Sequence, residues 1–407
     1  MKNFAIKIII GPVKICLSGV WTRIKSIPCR ATIPCGSAAR FVIIAAALAG
    51  CSFEAPETKM PDSLVLASWN VQAVFDGKDS GEEYAEYRAG SGWTDEKYRA
   101  RVNGIAEAVK TLGGAEAGGK NKTPDIIAVV EIENEGVLED IAAAPGMNYR
   151  WTFFASSPGA ALGLGLVSRF PIIDAKTHSA HFNGTQAPRP VAEIWIDAGS
   201  QALVLMVCHW KSKLGGNRET EEARKAAAAV ITRRLAEIGA ADAGIPVIVM
   251  GDLNENADEF ERAGYACALM PDSEEAAKCI QETGDPARPG FQDFLVISGN
   301  RPPRAEYITG TSPQAVLYSP WIEEAGNEAQ GLPFESGSYY YKEQWETIDH
   351  FLLNGAAFDG NGWEFAGFHA ARTRPFCGEN GIPDGYVPWT GNGLSDHVPL
   401  VIRMNYR

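Results

Sequence analysis

Nearly continuous runs of Val, Ile and Leu recur along the chain, and they constrain its fold more than any other feature of the sequence. The clearest are Leu64–Trp69, Ile126–Val130, Ala202–Cys208 and Pro246–Met250. Because these runs do not alternate with polar residues, they are typical of strands that are covered on both faces. Helical patterns separate several of the runs. The sequence therefore predicts an α/β fold.

Further strands and two helices complete this prediction. The strands are Trp151–Ala155, Gly163–Val167, Val191–Ile196, Thr347–Leu353 and Val398–Arg403, and the helices are Thr94–Leu112 and Glu219–Ile238. Both helical segments place their apolar residues on one stripe. Residues 255–345 are instead rich in Pro, Gly and acids. We therefore predict one domain over residues 63–407 that carries a loop-rich insertion at about 255–345.

The N-terminal region has the composition of an export signal. Residues 1–40 contain seven Lys and Arg and no acid, and the apolar stretch after them ends in Leu48-Ala49-Gly50-Cys51. These four residues resemble the lipobox of bacterial lipoproteins, which implies a signal peptide over residues 1–50. Cys51 would then carry the lipid, and residues 51–62 would form a tether. The alternative is an uncleaved membrane anchor, which the shortness of the apolar run disfavours.

This signal predicts a lipid-anchored protein of the bacterial cell envelope, on the outer membrane or the periplasmic face. Cleavage before Cys51 removes seven positive charges and changes the formal net charge from −13 to −20. Such an acidic protein is repelled by polyanions at long range, so nucleic acid would have to be held by local Lys and Arg and by metal. In an oxidising compartment, Cys267 and Cys279 could close a small loop.

Polar side chains stand where the predicted strands end. They are Asn70, Glu131, His209, Asp252, Asn254, Asp349, Asp396 and His397. Open sheets collect their functional sites at strand ends, and a carboxylate at the end of a buried strand is costly unless something charged compensates it. Carboxylate and amide oxygens suit Mg²⁺, with Mn²⁺ or Ca²⁺ as alternatives. The histidines add the hydrogen bonds and proton transfer that phosphoryl chemistry needs.

Six short motifs occur in a characteristic order. They are Ser68-Trp69-Asn70-Val71-Gln72, Val129-Val130-Glu131-Ile132-Glu133-Asn134, Cys208-His209-Trp210-Lys211-Ser212-Lys213, Gly251-Asp252-Leu253-Asn254, Thr347-Ile348-Asp349-His350-Phe351 and Ser395-Asp396-His397. From about Leu64 to Ile402 the chain resembles the endonuclease/exonuclease/phosphatase superfamily, which includes DNase I-like nucleases, inositol polyphosphate phosphatases and neutral sphingomyelinases. The resemblance implies a DNase I-like four-layer sandwich, in which two packed mixed β-sheets are flanked by α-helices.

The resemblance also implies a metal site and an activated water. Glu131 would be the main metal ligand, with Asn70 and Asp396 completing or supporting the site. Asp252 would orient or deprotonate the attacking water. Glu133 is an alternative to Glu131, but Glu131 comes first after the apolar run and so stands at the strand end.

Further residues would bind the phosphate and move protons. By the same resemblance, Asn254 would bind the scissile phosphate, and His209 would be the second catalytic imidazole. His397 would contact the phosphate oxygens, with Asp349 fixing its tautomer. Arg189 resembles a phosphate-contacting arginine of secreted nucleases. An ion pair between Arg189 and Glu193 is an equally good explanation.

These features predict a divalent-metal-dependent phosphoester hydrolase, first of all a DNase I-like envelope nuclease. The alternative is a phosphatase or phosphodiesterase that acts on a small phosphate, a sugar phosphate or a lipid head group, which the acidic net charge favours. A third hypothesis is a lipoprotein that keeps the fold but only binds. It predicts a missing catalytic residue, whereas all eight residues named at the strand ends are present. We expect a monomer that contacts the membrane through its N-terminal lipid.

Overall fold

The computed structural model describes residues 14–17, 20–23, 61–113, 123–182, 184–199, 201–283, 292–308, 315–324 and 336–407. The chain divides into two units, Met1–Lys59 and Met60–Arg407. In the first unit, β1 (Lys14–Leu17) and β2 (Val20–Arg23) pair as an antiparallel hairpin. The rest of the predicted signal peptide, the predicted lipidation site Cys51 and the tether up to residue 60 lie outside the described residues.

The second unit contains the predicted α/β elements. Its strands are β3 (Ser63–Val74), β4 (Ile126–Ile132), β5 (Trp151–Ala155), β6 (Gly163–Ser168), β7 (Ile172–His178), β8 (His181–Phe182), β9 (Thr185–Gln186), β10 (Val191–Asp197), β11 (Ala202–His209), β12 (Val247–Asp252), β13 (Leu269–Pro271), β14 (Leu295–Ser298), β15 (Val316–Tyr318), β16 (Tyr339–Tyr341), β17 (Gln344–Glu346), β18 (Asp349–Leu353), β19 (Trp363–Ala370) and β20 (Leu400–Tyr406). Its α-helices are α1 (Asp95–Val109), α2 (Glu135–Ala143), α3 (Asn217–Ala241), α4 (Glu259–Ala263), α5 (Glu274–Thr283) and α6 (Pro320–Glu324).

A six-stranded sheet has the strand order β19-β20-β3-β4-β6-β5, with β3 and β4 parallel at its centre. Side chains of β3 alternate between its two faces, as the two-residue period of a strand requires. Val65 and Ala67 share a buried cluster with Val102 and Ile105 of α1. Thr94 caps α1 by accepting a hydrogen bond from the Lys97 N–H, which satisfies a donor at the helix start. Helices α1 and α2 therefore cover the outer face.

An eight-stranded sheet has the strand order β13-β14-β15-β18-β12-β11-β10-β7. Leu66 of β3 belongs to the same buried cluster as Leu205 of β11 and Val249 of β12, so the two sheets pack face to face. That cluster also takes in Ile231 and Leu235 of α3, which covers the other face of the eight-stranded sheet. The order helix, sheet, sheet, helix confirms the predicted four-layer sandwich.

The stretch predicted as a loop-rich insertion adds elements to the eight-stranded sheet. Strands β13, β14 and β15 extend this sheet beyond β18, and β16 pairs with β17 as a separate hairpin. Within this stretch Cys267 is a buried free thiol, so the suggested disulfide with Cys279 is not formed. None of the helices in the described part of the chain has the length and apolarity that a membrane span requires.

Candidate active site

Three neighbouring strands of the eight-stranded sheet bring polar residues to one level. In the parallel pair of β11 and β12, His209 lies opposite Asp252. In the antiparallel pair of β12 and β18, Asp252 lies opposite Asp349. All three side chains are buried. The register therefore explains why residues far apart in sequence share one site.

Gly251 allows β12 to approach β11 closely just before Asp252. Its φ angle is +130°, and a Cβ atom at this position would lie only 1.9 Å from the carbonyl oxygen of Cys208. Only glycine tolerates both the backbone conformation and this approach. The glycine of the Gly251-Asp252-Leu253-Asn254 motif thus has a structural role that sets Asp252 beside His209.

The ends of β3 and β4 in the six-stranded sheet are irregular where they reach the site. Glu131 has a φ angle of +68°, and Gln72 and Ala73 each have one of +51°. The pairing register of both strands shifts at these residues, as in the β-bulges that redirect side chains next to active sites. The Ala73 N–H donates to Glu131 Oε2 at 3.0 Å. The bulge therefore holds the Glu131 carboxylate in place.

Asn70 links acids from the two sheets. Its Nδ2 donates to Glu131 Oε1 at 3.1 Å and to Asp252 Oδ2 at 3.0 Å. Its Oδ1 accepts a hydrogen bond from the Gln72 N–H at 3.0 Å. The Asn70 amide thus fixes the two carboxylates side by side.

His209 lies between the same two carboxylates. Its Nε2 is 3.6 Å from Glu131 Oε1 and 3.6 Å from Asp252 Oδ2. Burial lowers the pKa of His209 well below its usual value, and the positive charges of Arg189 and His397 lower it further. His209 is therefore a neutral imidazole at neutral pH.

Asp252 is buried among groups that make its ionisation costly. Burial raises its pKa from the usual 3.8 to about 7, and the negative charge of Asp349 adds to this effect. Asp252 Oδ1 accepts a hydrogen bond from the Asn254 N–H at 2.9 Å, which partly offsets the cost. A carboxylate with such a pKa can take up a proton near neutral pH.

His397 is held by partners at its edge and on its face. Its Nδ1 donates to Asp349 Oδ2 at 2.7 Å, and the Tyr339 ring stacks on it with centroids 4.6 Å apart. Burial lowers the pKa of His397, but the Asp349 carboxylate outweighs burial and the pKa lies well above its usual value. His397 is therefore protonated where His209 is neutral. The Asp349–His397 pair forms as the family resemblance implied.

The two residues predicted to bind phosphate meet at one backbone carbonyl. Asn254 Nδ2 donates to the Trp210 carbonyl oxygen at 3.2 Å, and Arg189 Nη1 donates to the same oxygen. The alternative pairing of Arg189 with Glu193 is wrong, because Glu193 binds Arg234 and His178 instead. Arg189 remains partly exposed beside the site, where it can meet an anion.

The backbone of Asp396 is tied to the end of β3 through Gln72. The Asp396 N–H donates to Gln72 Oε1 at 3.0 Å, and the same oxygen accepts from the Tyr386 N–H at 2.7 Å. The Asp396 side chain is half-buried. Gln72 is not among the site residues predicted from the sequence, although it belongs to the same motif as Asn70. Its spacing of two residues from Asn70 was the signal that it belongs to the site.

The alternative ligand Glu133 lies in a different environment from Glu131. Its Oε2 accepts a hydrogen bond from the Asp76 N–H at 2.7 Å. Burial raises the pKa of Glu133 to about 7, and the acids Asp76 and Glu83 raise it further. Glu131, rather than Glu133, contacts Asn70 and approaches His209. His350, the neighbour of Asp349, is fully buried and donates to the Glu255 carbonyl oxygen.

The residues present fit a divalent cation. Asn70 Nδ2 holds carboxylate oxygens of Glu131 and Asp252 at 3.1 and 3.0 Å, so two acidic groups lie side by side, as in a site for a cation. Oxygen ligands from Asp252 and Asp349 lie within 4.8 Å of a His397 ring nitrogen, but His397 Nδ1 and Asp349 Oδ2 already satisfy each other at 2.7 Å. The half-buried carboxylates of Glu131 and Asp396 are the more accessible hard oxygen ligands.

Comparison with known proteins agrees with this arrangement. Residues 65–269 match the sequence model of the Endonuclease/Exonuclease/phosphatase family. The chain belongs to this family. Members of this family generally depend on a divalent metal. The protein is a hydrolase of the phosphoesterase type. No curated protein matches the chain.

Several solved structures of low sequence identity are similar to this family member. Truncated Caenorhabditis elegans TDP2 is 14% identical, with 84% of this chain and 97% of that chain covered and a TM-score of 0.46. The human Nocturnin catalytic domain with bound sulfate anion is 15% identical, with coverage of 85% and 95% and a TM-score of 0.46. An endonuclease/exonuclease/phosphatase family protein from Bacteroides thetaiotaomicron is 13% identical, with coverage of 85% and 95% and a TM-score of 0.45.

Proposed function

We propose that this protein is a divalent-metal-dependent phosphodiesterase that cleaves nucleic acid, as a DNase I-like nuclease does. The observation that carries the proposal is the pair of imidazoles around Asp252. His209 lies 3.6 Å from the Asp252 carboxylate, and His397 is bound to Asp349, the cross-strand neighbour of Asp252. An imidazole bound to a carboxylate, and a second carboxylate beside another imidazole, can divide the roles of acid and base.

Glu131 and Asp396 would hold the cation, and Asn70 supports the site by fixing Glu131. The ion, most simply Mg²⁺, supplies positive charge that stabilises the developing negative charge of the phosphoryl group. Asn70 donates to Glu131 Oε1 and Asp252 Oδ2 at once. Both carboxylates therefore keep fixed positions, which is the preorganisation that charge stabilisation needs.

The remaining side chains bind the phosphate and handle the proton of the attacking water. Asn254 and Arg189, joined at the Trp210 carbonyl, donate hydrogen bonds to phosphate oxygens. His397, protonated through Asp349, donates to a phosphate oxygen as negative charge grows there. Asp252, with a pKa of about 7, orients the water and accepts its proton.

A second candidate is a phosphatase or phosphodiesterase that acts on a small phosphate, a sugar phosphate or a lipid head group. The observation in its favour is the formal net charge of −13. Duplex nucleases commonly present a basic surface to the phosphate backbone, because neutralised phosphates supply most of the affinity. A small substrate requires only the local cations of the site.

One substrate panel separates these candidates. The purified protein is assayed with Mg²⁺, Mn²⁺ and Ca²⁺ against plasmid DNA, RNA, bis-p-nitrophenyl phosphate, p-nitrophenyl phosphate and sphingomyelin. We expect cleavage of nucleic acid and of the bis-p-nitrophenyl diester, and loss of both activities in EDTA. Hydrolysis of p-nitrophenyl phosphate without nucleic-acid cleavage would support the phosphatase instead.

We also propose that the protein is anchored in the cell envelope by a lipid on Cys51. The support is the Leu48-Ala49-Gly50-Cys51 motif after a basic and apolar N-terminal region. Cells that express the protein are labelled with radioactive palmitate. We expect label in the wild-type protein and none in a Cys51→Ala variant. Label retained in the variant would refute lipidation at this residue.

A further inference from the structure

The hairpin of β16 and β17 reaches the catalytic centre. An antiparallel bridge pairs Tyr339 of β16 with His397, and the Val398 N–H donates to the carbonyl oxygen of Ser338 at 2.8 Å. The Tyr339 ring lies on the His397 imidazole with an interplanar angle of 30°. The hairpin is thereby fixed to the segment that carries the catalytic imidazole.

A second tyrosine continues this stack away from the site. Side chains two residues apart on a strand share one face, and the Tyr341 ring stacks on Tyr339 with centroids 6.1 Å apart and an interplanar angle of 20°. Tyr341 is 49% exposed, and Lys342 Nζ lies 5.1 Å from its ring centroid. A column of three rings thus runs from the catalytic imidazole into solvent.

The turn of the hairpin keeps this column in place. Lys342 and Glu343 have φ angles of +47° and +65°, which is the pattern of a two-residue turn whose twist matches the paired strands. On the hairpin, the Tyr340 and Trp345 rings pack edge to face with centroids 5.2 Å apart. The turn and the Tyr340–Trp345 contact therefore stabilise the hairpin that carries the exposed Tyr341 ring.

We infer that Tyr339 and Tyr341 form a stacking site for an unpaired nucleobase of a single-stranded nucleic acid, one or two nucleotides from the scissile phosphate. This inference rests on the proposed nuclease function and names its substrate class. The stack begins on the imidazole that contacts the phosphate, so a base on Tyr341 and a phosphate at His397 belong to one short segment of strand. The exposed Lys342 side chain, whose Nζ lies over the Tyr341 ring, would move aside for the base and place its positive charge next to the backbone.

Charge favours a single strand over a duplex. With a formal net charge of −13, the protein gains little from long-range attraction to phosphates. Stacking on aromatic rings supplies affinity that does not depend on a basic surface. In a duplex the bases are already paired and stacked on one another, so only an unpaired base can occupy the Tyr341 ring.

The tip of the hairpin disfavours a lipid surface as the occupant. Lys342, Glu343 and Gln344 follow Tyr341, and all of them are exposed. Insertion into a bilayer interface favours an apolar tip, because the charged Glu343 would have to be desolvated or held away from the acyl region. Charged turn residues next to one exposed ring suit a water-filled contact with a nucleotide.

The test compares Tyr341→Ala with two controls. Tyr341→Phe keeps the aromatic face, and Tyr307→Ala removes a tyrosine of equal exposure, also 49%, from another part of the surface. The substrates are a single-stranded oligonucleotide, the same oligonucleotide with an abasic residue beside the cleaved linkage, and its duplex. For Tyr341→Ala we expect kcat/KM on the intact single strand to fall by about 5- to 100-fold, the range of one lost base stack.

The abasic strand decides the interpretation of that loss. We expect wild type to cleave it as slowly as Tyr341→Ala cleaves the intact strand, and the substitution to have no further effect on it. Tyr341→Phe and Tyr307→Ala should stay within about twofold of wild type, well below the loss of one stack. Equal losses on intact and abasic strands, or a duplex preferred over the single strand, would overturn the inference.

A binding measurement separates this inference from the proposed function. A single strand containing 2-aminopurine is titrated with the protein in EDTA, so that no cleavage occurs. We expect the fluorescence to be quenched by wild type and much less by Tyr341→Ala. Quenching without any nuclease activity would leave the stacking site and refute the nuclease. Cleavage without Tyr341-dependent quenching would support the nuclease and refute the stacking site. Tyr341-dependent binding to phosphatidylcholine vesicles, without binding to the oligonucleotide, would show that the site takes a lipid rather than a nucleobase.

Discussion

Glu131 and Asn254 adopt backbone conformations that are uncommon for residues other than glycine. Their φ angles are +68° and +52°, and such conformations cost free energy and cluster at functional sites. Glu131 faces Asn70 and His209 from the six-stranded sheet. Asn254 follows Asp252 on the eight-stranded sheet and binds it through its N–H. At the scale of single residues, the chain is strained where we propose that the metal and phosphate bind.

Glu131→Gln tests the proposed metal ligand. Glutamine has nearly the same shape and can still accept the hydrogen bond from the Ala73 N–H. It lacks the charge, and its NH2 group replaces the oxygen that accepts from Asn70 Nδ2. We expect Mg²⁺-dependent turnover to be abolished while the melting temperature stays close to that of wild type. Glu133→Gln is the matched control. Loss of turnover in Glu133→Gln but not in Glu131→Gln would assign the ligand to Glu133.

His397→Ala tests the protonated imidazole. Loss of an acid–base or oxyanion partner commonly lowers the rate by about 10²- to 10⁴-fold, so we expect kcat to fall by at least about two orders of magnitude. The exposed His181 provides a control, and His181→Ala should have wild-type kcat. A loss of only a few-fold in folded His397→Ala would make this residue structural.

Residue identities at strand ends could be predicted, but their contacts could not. The sequence predicted Asn70 as a residue of the metal site. Only the structure shows that its amide joins Glu131 and Asp252. Stacking of Tyr339 on His397 could not be predicted, because it depends on a bridge between segments that are not neighbours in sequence. Side-chain hydrogen bonds and ring contacts follow from tertiary packing rather than from local pattern.

At the scale of elements, the segment before β20 is tied to β3 by few groups. Gln72 accepts hydrogen bonds from the N–H groups of Tyr386 and Asp396. Ser395 Oγ donates to the Asn70 carbonyl oxygen at 2.7 Å. The Trp69 indole donates to the His397 carbonyl oxygen at 2.9 Å. These contacts tie the backbone of Asp396 to the end of β3, the strand that pairs with the Glu131-bearing β4.

Gln72→Met tests this connection. Methionine has a similar length but provides no oxygen for the N–H groups of Tyr386 and Asp396, so Asp396 should lose its fixed position. We expect the Mg²⁺ concentration for half-maximal activity to rise by about 10- to 100-fold, the usual effect of losing a supporting contact at a metal site. Gln72→Glu keeps an acceptor oxygen and should show a smaller change. An unchanged Mg²⁺ requirement in Gln72→Met would show that Asp396 does not depend on Gln72.

Long apolar strands could be predicted from sequence better than short ones. The predicted strand Ala202–Cys208, a continuous apolar run, agrees with β11 to within one residue. Strands β13 and β15 have three residues each, too few for a periodic pattern to emerge. They form because the neighbouring strand of the sheet offers an edge with which they can pair. The local sequence does not contain this information.

At the scale of the whole molecule, a buried ion pair joins two of the layers. Arg234 of α3 binds Glu193 of β10 with two hydrogen bonds, at 2.6 and 2.9 Å. Burial raises the pKa of Glu193, but hydrogen bonds from Arg234, Trp195 and His178 lower it from the usual 4.5 to about 2. This pair connects the helix layer to the eight-stranded sheet.

The Glu193 pair predicts a pH dependence of stability. Because the folded pKa is depressed, the pair stabilises the folded state above about pH 4.5, and this contribution is lost as the pH falls towards about 2. Arg234→Met leaves Glu193 buried with fewer donors, so we expect a loss on the order of 3 kcal/mol in urea unfolding at pH 7. The difference from wild type should shrink at pH 3. Arg233→Met, at a more exposed neighbouring arginine, should change stability little, and a pH-independent difference for Arg234→Met would contradict this account.

Strand order in the two sheets could not be predicted from sequence. β3 and β20 stand at opposite ends of the described domain, yet they pair as neighbours. The family resemblance implied the four layers, and the structure confirms them. The pattern of residues alone predicted only an α/β class, because sheet pairing over long sequence separations leaves no local signal.

The most direct test of the central claim is a crystal structure of the protein soaked with Mn²⁺, with the ion located by anomalous scattering. We predict a peak between the Glu131 and Asp396 carboxylates, with oxygen ligands at about 2.1 Å, as for Mg²⁺. Asn70, His209 and His397 should border the same cleft. A peak held elsewhere, or carboxylates of Glu131 and Asp396 too far apart to share one ion, would contradict the proposed metal-dependent active site.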